Sequence, residues 1–161
     1  MASRSKRTVK RRRQENKTDY KLRKKMLESN IPRIVIRKTN KYFIIQSVES
    51  SEAQDKVITT ITSKELIKNG WKNAGSLNSI PAGYLIGLLA AKKIKKGNYI
   101  IDLGMYRTIP GCRIFAVVKG LIDGGLKISA NEKVFPPKER LAGEHLKPET
   151  KQMIASVKSK L

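Results

Sequence analysis

Two apolar-rich runs separated by a short polar stretch stand out in the first third of the chain. Arg33-Ile34-Val35-Ile36-Arg37 and Tyr42-Phe43-Ile44-Ile45-Gln46 are both rich in β-branched or aromatic residues, which favour pleated strands. Lys38-Thr39-Asn40-Lys41 lies between them. A hairpin with Thr39-Asn40 at its tip pairs Arg37 with Tyr42, Ile36 with Phe43, Val35 with Ile44 and Ile34 with Ile45. Strand alternation then sorts the side chains onto two faces. Ile34, Ile36, Phe43 and Ile45 form an apolar face that should pack on helices. Arg33, Val35, Arg37, Tyr42, Ile44 and Gln46 form a mixed, basic face that can meet a polyanion.

The pattern continues with Lys56 to Thr62 as a third, antiparallel strand, after a loop holding Ser50, Ser51 and Glu52. Ser63 followed by Glu65 and Leu66 predicts a short capped helix ending near Gly70. Trp71 reads as a packing residue within a loop that runs to Ser79 and includes Gly75. Pro81 to Lys96 is a helix with proline near its start and Gly97 just past its end. Gly83 and Gly87 share one of its faces, which predicts close packing of this helix on the sheet. Tyr99 to Leu103 reads as a buried strand parallel to the first. A second helix follows from about Cys112 to Asp123, where Ile114, Val117, Val118 and Leu121 keep helical spacing. Leu126 to Ile128 is a last short strand, residues 131–150 look irregular, and Thr150 to Leu161 form a short, exposed terminal helix.

The fold class predicted is therefore α/β, in the order β-β-β-α-β-α. It is a mixed sheet of three antiparallel strands plus a crossover strand, right-handed by rule. Helices cover one face and leave the hairpin's basic face open. Residues 1–29 fall outside this pattern. They hold 12 Lys or Arg against 3 acids and little to bury, so the run Lys6 to Arg13 should be poorly ordered alone. Tyr20, Met26 and Leu27 punctuate the charges at helical spacing, which suggests an arm that becomes helical on its partner. The chain divides into a basic arm (1–29), an α/β core (30–130) and a C-terminal extension (131–161).

Charge changes the picture most. The 161 residues carry 35 Lys or Arg and 13 acids, a formal net charge of +22. That excess exceeds any need for solubility and implies a polyanionic partner. No stretch is long and apolar enough for a membrane span, and no apolar segment follows the basic start as in a secretory signal. A single cysteine, Cys112, fits a reducing cytosol. A single histidine, His145, argues against a histidine-ligated metal cluster or a serine–histidine–aspartate triad.

The strand order resembles the ribonuclease H-like arrangement, which raises the question of a metal-dependent nuclease. Such chemistry needs several carboxylates converging on Mg²⁺. The first strand carries arginines instead, and Asp102 and Asp123 have no acidic neighbours in the sequence. No enzyme, cofactor or small-molecule substrate is expected. The loop from Gly104 to Gly111 joins a strand end to a helix start, where free N–H groups and the helix dipole favour an anion. Arg107 and Arg113 flank it and Tyr106 can stack. Basic groups mixed with tyrosines suit RNA, giving salt-sensitive affinity and stacking on unpaired bases. Net charge alone would also fit a general nucleic-acid-binding or DNA-compacting protein.

Five segments carry a more specific resemblance: RRRQENKTDYKLRKKML, PRIVIRKTNKYFIIQ, IPAGYLIGLLAAKKI, DLGMYRTIPGCRIFAVVKGLIDGGLKI and RLAGEHL. In this order they resemble the ribosomal protein L-eighteen family, in its archaeal–eukaryotic branch. The resemblance implies a ribonuclease H-like core without catalytic carboxylates. It implies 5S rRNA as main ligand, 23S-type large-subunit rRNA as a second contact, and ribosomal protein L-five as neighbour in the central protuberance of a cytoplasmic large subunit. By position it implies RNA contacts in three places. These are the hairpin at Arg37, Lys38, Thr39, Asn40, Lys41 and Tyr42, the loop at Tyr106 and Arg107 with Arg113, and the arm. In the arm the matching residues are Lys10, Arg11, Arg12 and Arg13, then Tyr20, Lys21 and Arg23. Arg33 and Gln46 join the set from the hairpin's basic face.

Overall fold

A computed structural model describes residues 8–72 and 76–161. Lys6 and Arg7 of the basic run, and Gly75 of the long loop, lie outside the described residues. A short helix α1 (Arg11–Gln14) and a longer α2 (Tyr20–Glu28) precede the sheet. The strands are β1 (Arg33–Lys38), β2 (Phe43–Ser51), β3 (Gln54–Thr62), β4 (Asn98–Asp102) and β5 (Lys127–Ile128). Between and after them come α3 (Ile80–Lys93), α4 (Arg113–Asp123), α5 (Lys138–Ala142) and α6 (Pro148–Lys160). The sheet order is β3-β2-β1-β4-β5, antiparallel through β1 and parallel from β1 to β5. This is the mixed α/β sheet the strand pattern predicts, crossover strand included.

The hairpin register differs from the simplest reading by two residues. Ile36 pairs with Ile45, Arg37 with Ile44 and Lys38 with Phe43. A two-residue turn of the favoured hairpin type needs positive φ at both tip positions, and neither Thr39 nor Asn40 adopts it. The chain uses the four residues Thr39 to Tyr42 instead. Because the shift is even, each side chain keeps its face. Ile34, Ile36, Phe43 and Ile45 are fully buried in one cluster with Leu85, Ile86, Ile114, Val117 and Leu121. Each such side chain contributes about 1.5–3 kcal/mol of burial. The tight two-residue turn occurs at the next hairpin, where Glu52 and Ala53 have φ of 50° and 63°.

The Gly83 and Gly87 face meets mainly a helix, α4, where the glycines predict packing on the sheet; only Gly83 also reaches the sheet, at the Phe43 ring. A β-carbon on Gly87 would overlap the Val117 carbonyl oxygen, and one on Gly120 would overlap the Tyr84 carbonyl. The backbones of α3 and α4 therefore touch, and glycine is the only residue small enough at the crossing. Trp71 is buried in the core, as the packing reading requires. The terminal helix is not simply exposed: α6 buries Thr150, Met153, Ile154 and Val157, the last three within the main cluster. Its spacing of apolar residues is sparse because only one narrow stripe reaches the core.

Candidate nucleic-acid interface

β1 and β4 run parallel, so their C-terminal ends lie side by side. This brings together two loops far apart in sequence, Thr39 to Tyr42 and Leu103 to Cys112. Lys38, at the end of β1, sits 5.6 Å from the centroid of the Tyr106 ring. Lys64 lies over Tyr42 at 4.7 Å. Cations over aromatic faces hold these rings at the surface. Met105, Tyr106 and Ile109 are exposed large apolar groups, and Arg107 and Lys41 are exposed beside them in the two loops.

The first loop is closed by Thr39. Its backbone N–H donates to the Tyr42 carbonyl at 2.9 Å, its hydroxyl donates to the same oxygen at 2.7 Å, and that hydroxyl accepts from the Tyr42 N–H at 2.9 Å. This side-chain turn replaces the missing positive-φ tip. Asn78, only 4% exposed, then clamps the loop. Its amide donates to the carbonyls of Thr39 at 3.0 Å and Asn40 at 3.2 Å. Arg113 donates to the Asn78 carbonyl at 3.0 Å. Arg113 thus ties α4 to the hairpin loop while its side chain stays on the surface.

The second loop is anchored by Asp102. Its carboxylate accepts from the Gly104 N–H at 2.8 Å, from Arg37 at 3.0 Å and from Arg33 at 3.3 Å. Arg37 also donates to the Asp102 carbonyl at 2.7 Å. Gly104 has φ +62°, and a β-carbon there would press on the Arg37 guanidinium at 3.0 Å. Beyond it, α4 begins with no acidic residue in its first turn and no side-chain cap at Cys112. Its N-terminus directly follows the loop that carries Arg107, an arrangement that suits an anion.

Arg33 requires a correction. It was expected on an open basic face, yet it is 2% exposed. Its guanidinium bonds Asp55 at 2.6 Å, Ser50 at 2.9 Å and Asp102 at 3.3 Å. A buried guanidinium must be paired and hydrogen-bonded, and these partners come from three different strands. The sequence reading missed Asp55 because it lies 22 residues from Arg33 in the chain. Arg23 also reaches Asp55, at 2.9 Å, and so docks α2 beside the sheet with Met26 buried beneath. Burial raises the Asp55 pKa, but bonds from Arg23 and Ser50 and the charges of Arg33 and Arg23 outweigh it and hold the carboxyl below its ordinary value. Arg33 and Arg23 are therefore structural cations in this arrangement. Gln46 donates to Thr60 at 3.1 Å across the β2–β3 pair.

The other described residues of the arm are more exposed. Asp19 caps α2 by accepting from the N–H groups of Lys21 and Leu22. Lys10 lies 4.5 Å from the Tyr20 ring, and Arg12 donates to Thr18 at 2.9 Å. Arg11, Arg12, Arg13 and Lys21 are exposed. Among the described residues, no group of three or more His, Cys, Asp or Glu could hold a metal ion, and no helix is long and apolar enough to cross a membrane. Asp102 and Asp55 are occupied by arginines instead.

A family described as ribosomal large subunit proteins 60S L5 and 50S L18 matches residues 4–99. The chain belongs to that family. It is 43% identical over 139 residues to the large ribosomal subunit protein uL18 of Methanoregula boonei, covering 84% of this chain and 79% of the relative. It is 40% identical over 139 residues to uL18 of Korarchaeum cryptofilum, covering 84% and 70%. Against uL18 of Thermofilum pendens it is 43% identical over 138 residues, covering 84% and 69%. The family resemblance read from the five sequence segments is thereby established.

Proposed function

We propose that this chain is a structural constituent of the large ribosomal subunit that binds 5S rRNA and helps fasten it to the large rRNA in the central protuberance. Family membership makes it an RNA-binding ribosomal protein and not an enzyme. One observation carries the assignment of the site: two loops with exposed cations and tyrosines share one end of the sheet, linked by Lys38 over Tyr106. Lys38, Thr39, Asn40, Lys41 and Tyr42 form one half of the RNA surface, with Arg37 behind them as the group that holds the Asp102 loop. Tyr106 and Arg107 form the other half, next to the N-terminus of α4 and Arg113. Phosphates bind the cations and the helix start, and unpaired bases stack on the rings.

The arm, residues 1–29, supplies the electrostatic part through Lys10, Arg11, Arg12, Arg13, Tyr20 and Lys21. The core, residues 30–130, supplies geometry, and residues 131–161 form an extension packed on it. The order β3-β2-β1-β4-β5 supports a ribonuclease H-like scaffold. The 23S-type rRNA is the second nucleic-acid contact, L-five the protein neighbour, and the cytoplasmic large subunit the location. Filter binding to 5S rRNA, to an unrelated hairpin RNA and to duplex DNA across a salt series tests this. Deleting residues 1–29 should flatten the slope of log affinity against log salt by several units, about 0.7–0.9 for each phosphate no longer neutralised. Lys41→Ala with Tyr106→Ala should cost 5S rRNA more than the control, since stacking is worth about 1–3 kcal/mol per base. Equal displacement by duplex DNA would identify a general nucleic-acid binder instead.

A further inference from the structure

A groove of about 670 Å³ runs between α3, α4, α5 and α6, in the helical layer and lined by no residue of the RNA loops. Leu85, Leu141 and Ile154 line its floor. Ala142 and Ala155, both exposed, stand where larger side chains would fill it. The volume lies within the ~300–1,000 Å³ of typical binding pockets, so several large side chains fit.

The polar groups at this groove divide into two sets. Asp123 is already satisfied by Lys119 at 2.9 Å and by the Tyr84 hydroxyl at 3.1 Å. Burial and the Asp123 charge push the Tyr84 pKa up to about 12, so Tyr84 stays a neutral donor. The second set is Lys138, Lys151 and Lys158, all exposed on the rim. None of the three pairs with a carboxylate among the described residues. Lys158 lies over the Tyr84 ring at 5.6 Å. Three uncompensated cations around an apolar floor repel one another unless an acidic occupant arrives.

We propose that this groove docks an acidic segment of another protein, carrying one or more large apolar anchor residues. Apolar anchors fill the floor and carboxylates meet the rim, the arrangement of a packed interface core with a charged surround. RNA fits the rim but not the floor. The floor offers leucine and isoleucine, and the Tyr84 ring beside it is already covered by Lys158. None of its lining residues belongs to the two RNA loops, so both partners can bind at once.

Zero-length carbodiimide coupling on intact large subunits tests the proposal, because it joins a lysine only to a carboxylate in direct contact. Lys138, Lys151 or Lys158 should couple to Asp or Glu of a second protein whose segment also carries apolar residues. The same lysines should resist acetylation in the subunit and react in the free chain. Subunits built with Ala155→Glu should lose the coupled product by about tenfold, since the change adds bulk and like charge at the anchor site. The variant chain should keep its 5S rRNA affinity, which separates failure here from failure of the RNA reading. Equal acetylation in subunit and free chain would overturn the proposal. Lysines protected but photocrosslinked to rRNA, or coupling unchanged in Ala155→Glu, would also overturn it.

Discussion

Replacing Asp102 by alanine tests whether the buried ion network, rather than strand propensity, holds the two cation-bearing loops in place. The Asp102 side chain is 9% exposed and accepts three bonds: from Arg33, Arg37 and the Gly104 N–H. Asp102→Ala leaves Arg33 buried with only Asp55 and Ser50. Removing one member of a buried pair costs about 3–5 kcal/mol, because an uncompensated charge remains. Arg33 keeps its shorter bond to Asp55, at 2.6 Å, so the lower end, about 3 kcal/mol, is expected. In a domain of this size each kcal/mol shifts Tm by roughly 2–4 °C, which gives a fall of roughly 6–12 °C.

Urea unfolding followed by circular dichroism measures the stability change directly. Asp102→Asn keeps an acceptor for Gly104 and should lose clearly less than Asp102→Ala. Coupling between Arg33 and Asp102 is then isolated by a double-mutant cycle with Arg33→Met. A loss below about 1 kcal/mol for Asp102→Ala, the level of an exposed surface pair, would refute the reasoning. So would additive single mutants, because they would leave no interaction between the two groups.

Gly87→Ala should destabilise the fold by about 1–3 kcal/mol through overpacking, since its β-carbon meets the α4 backbone and not a movable side chain; calorimetry checks it. Glu52→Asn with Ala53→Gly should raise stability by about 1–2 kcal/mol, because both residues hold a left-handed conformation that asparagine and glycine adopt more readily; a higher urea midpoint at unchanged slope is the expected result. The lowered pKa of Asp55 makes its contribution present above the ordinary aspartate value of about 3.9 and lost as pH falls through the folded value. Hydrogen-exchange protection factors in α2, corrected for the intrinsic pH dependence of exchange, should therefore fall below about pH 4, and Asp55→Asn should remove that dependence.

The strand faces were legible because their period is short and local. Ile34, Ile36, Phe43 and Ile45 keep their face under any even register shift, so a wrong turn did not damage the core assignment. The parallel placement of β4 was legible for a similar reason, since a helix between two apolar strands leaves few topologies. Helix–helix contact at Gly87 was not, because a glycine stripe does not say which backbone approaches it. Arg33 was misplaced because alternation reports a face, not what covers it, and its partners are Asp55 and Asp102. Two signals were available: Asp102 stands two residues before Gly104 at a strand end, and Asn78 stands just before the Ser79 cap. Both mark side chains that bond nearby backbone groups. Neither reveals that the groups they hold belong to loops that carry cations.

In a chain with nearly three basic residues for every acid, the positions of the acids decide what the cations do. Asp55 fixes Arg23 and Arg33, and Asp102 fixes Arg33 and Arg37. Glu65 caps the turn after β3 while pairing with Lys93, and Asp123 holds Lys119. Each of these cations is committed to the fold. The exposed cations at the loops, Lys41 and Arg107, make no such pair among the described residues. A carboxylate beside them would compete with phosphate and weaken binding. Five carboxylates, Asp19, Asp55, Glu65, Asp102 and Asp123, bond backbone groups or hold a cation in place, and none of them pairs with Lys41 or Arg107. Charge count alone points to a polyanion, but this partition separates the cations that hold the fold from those left open to a polyanionic partner.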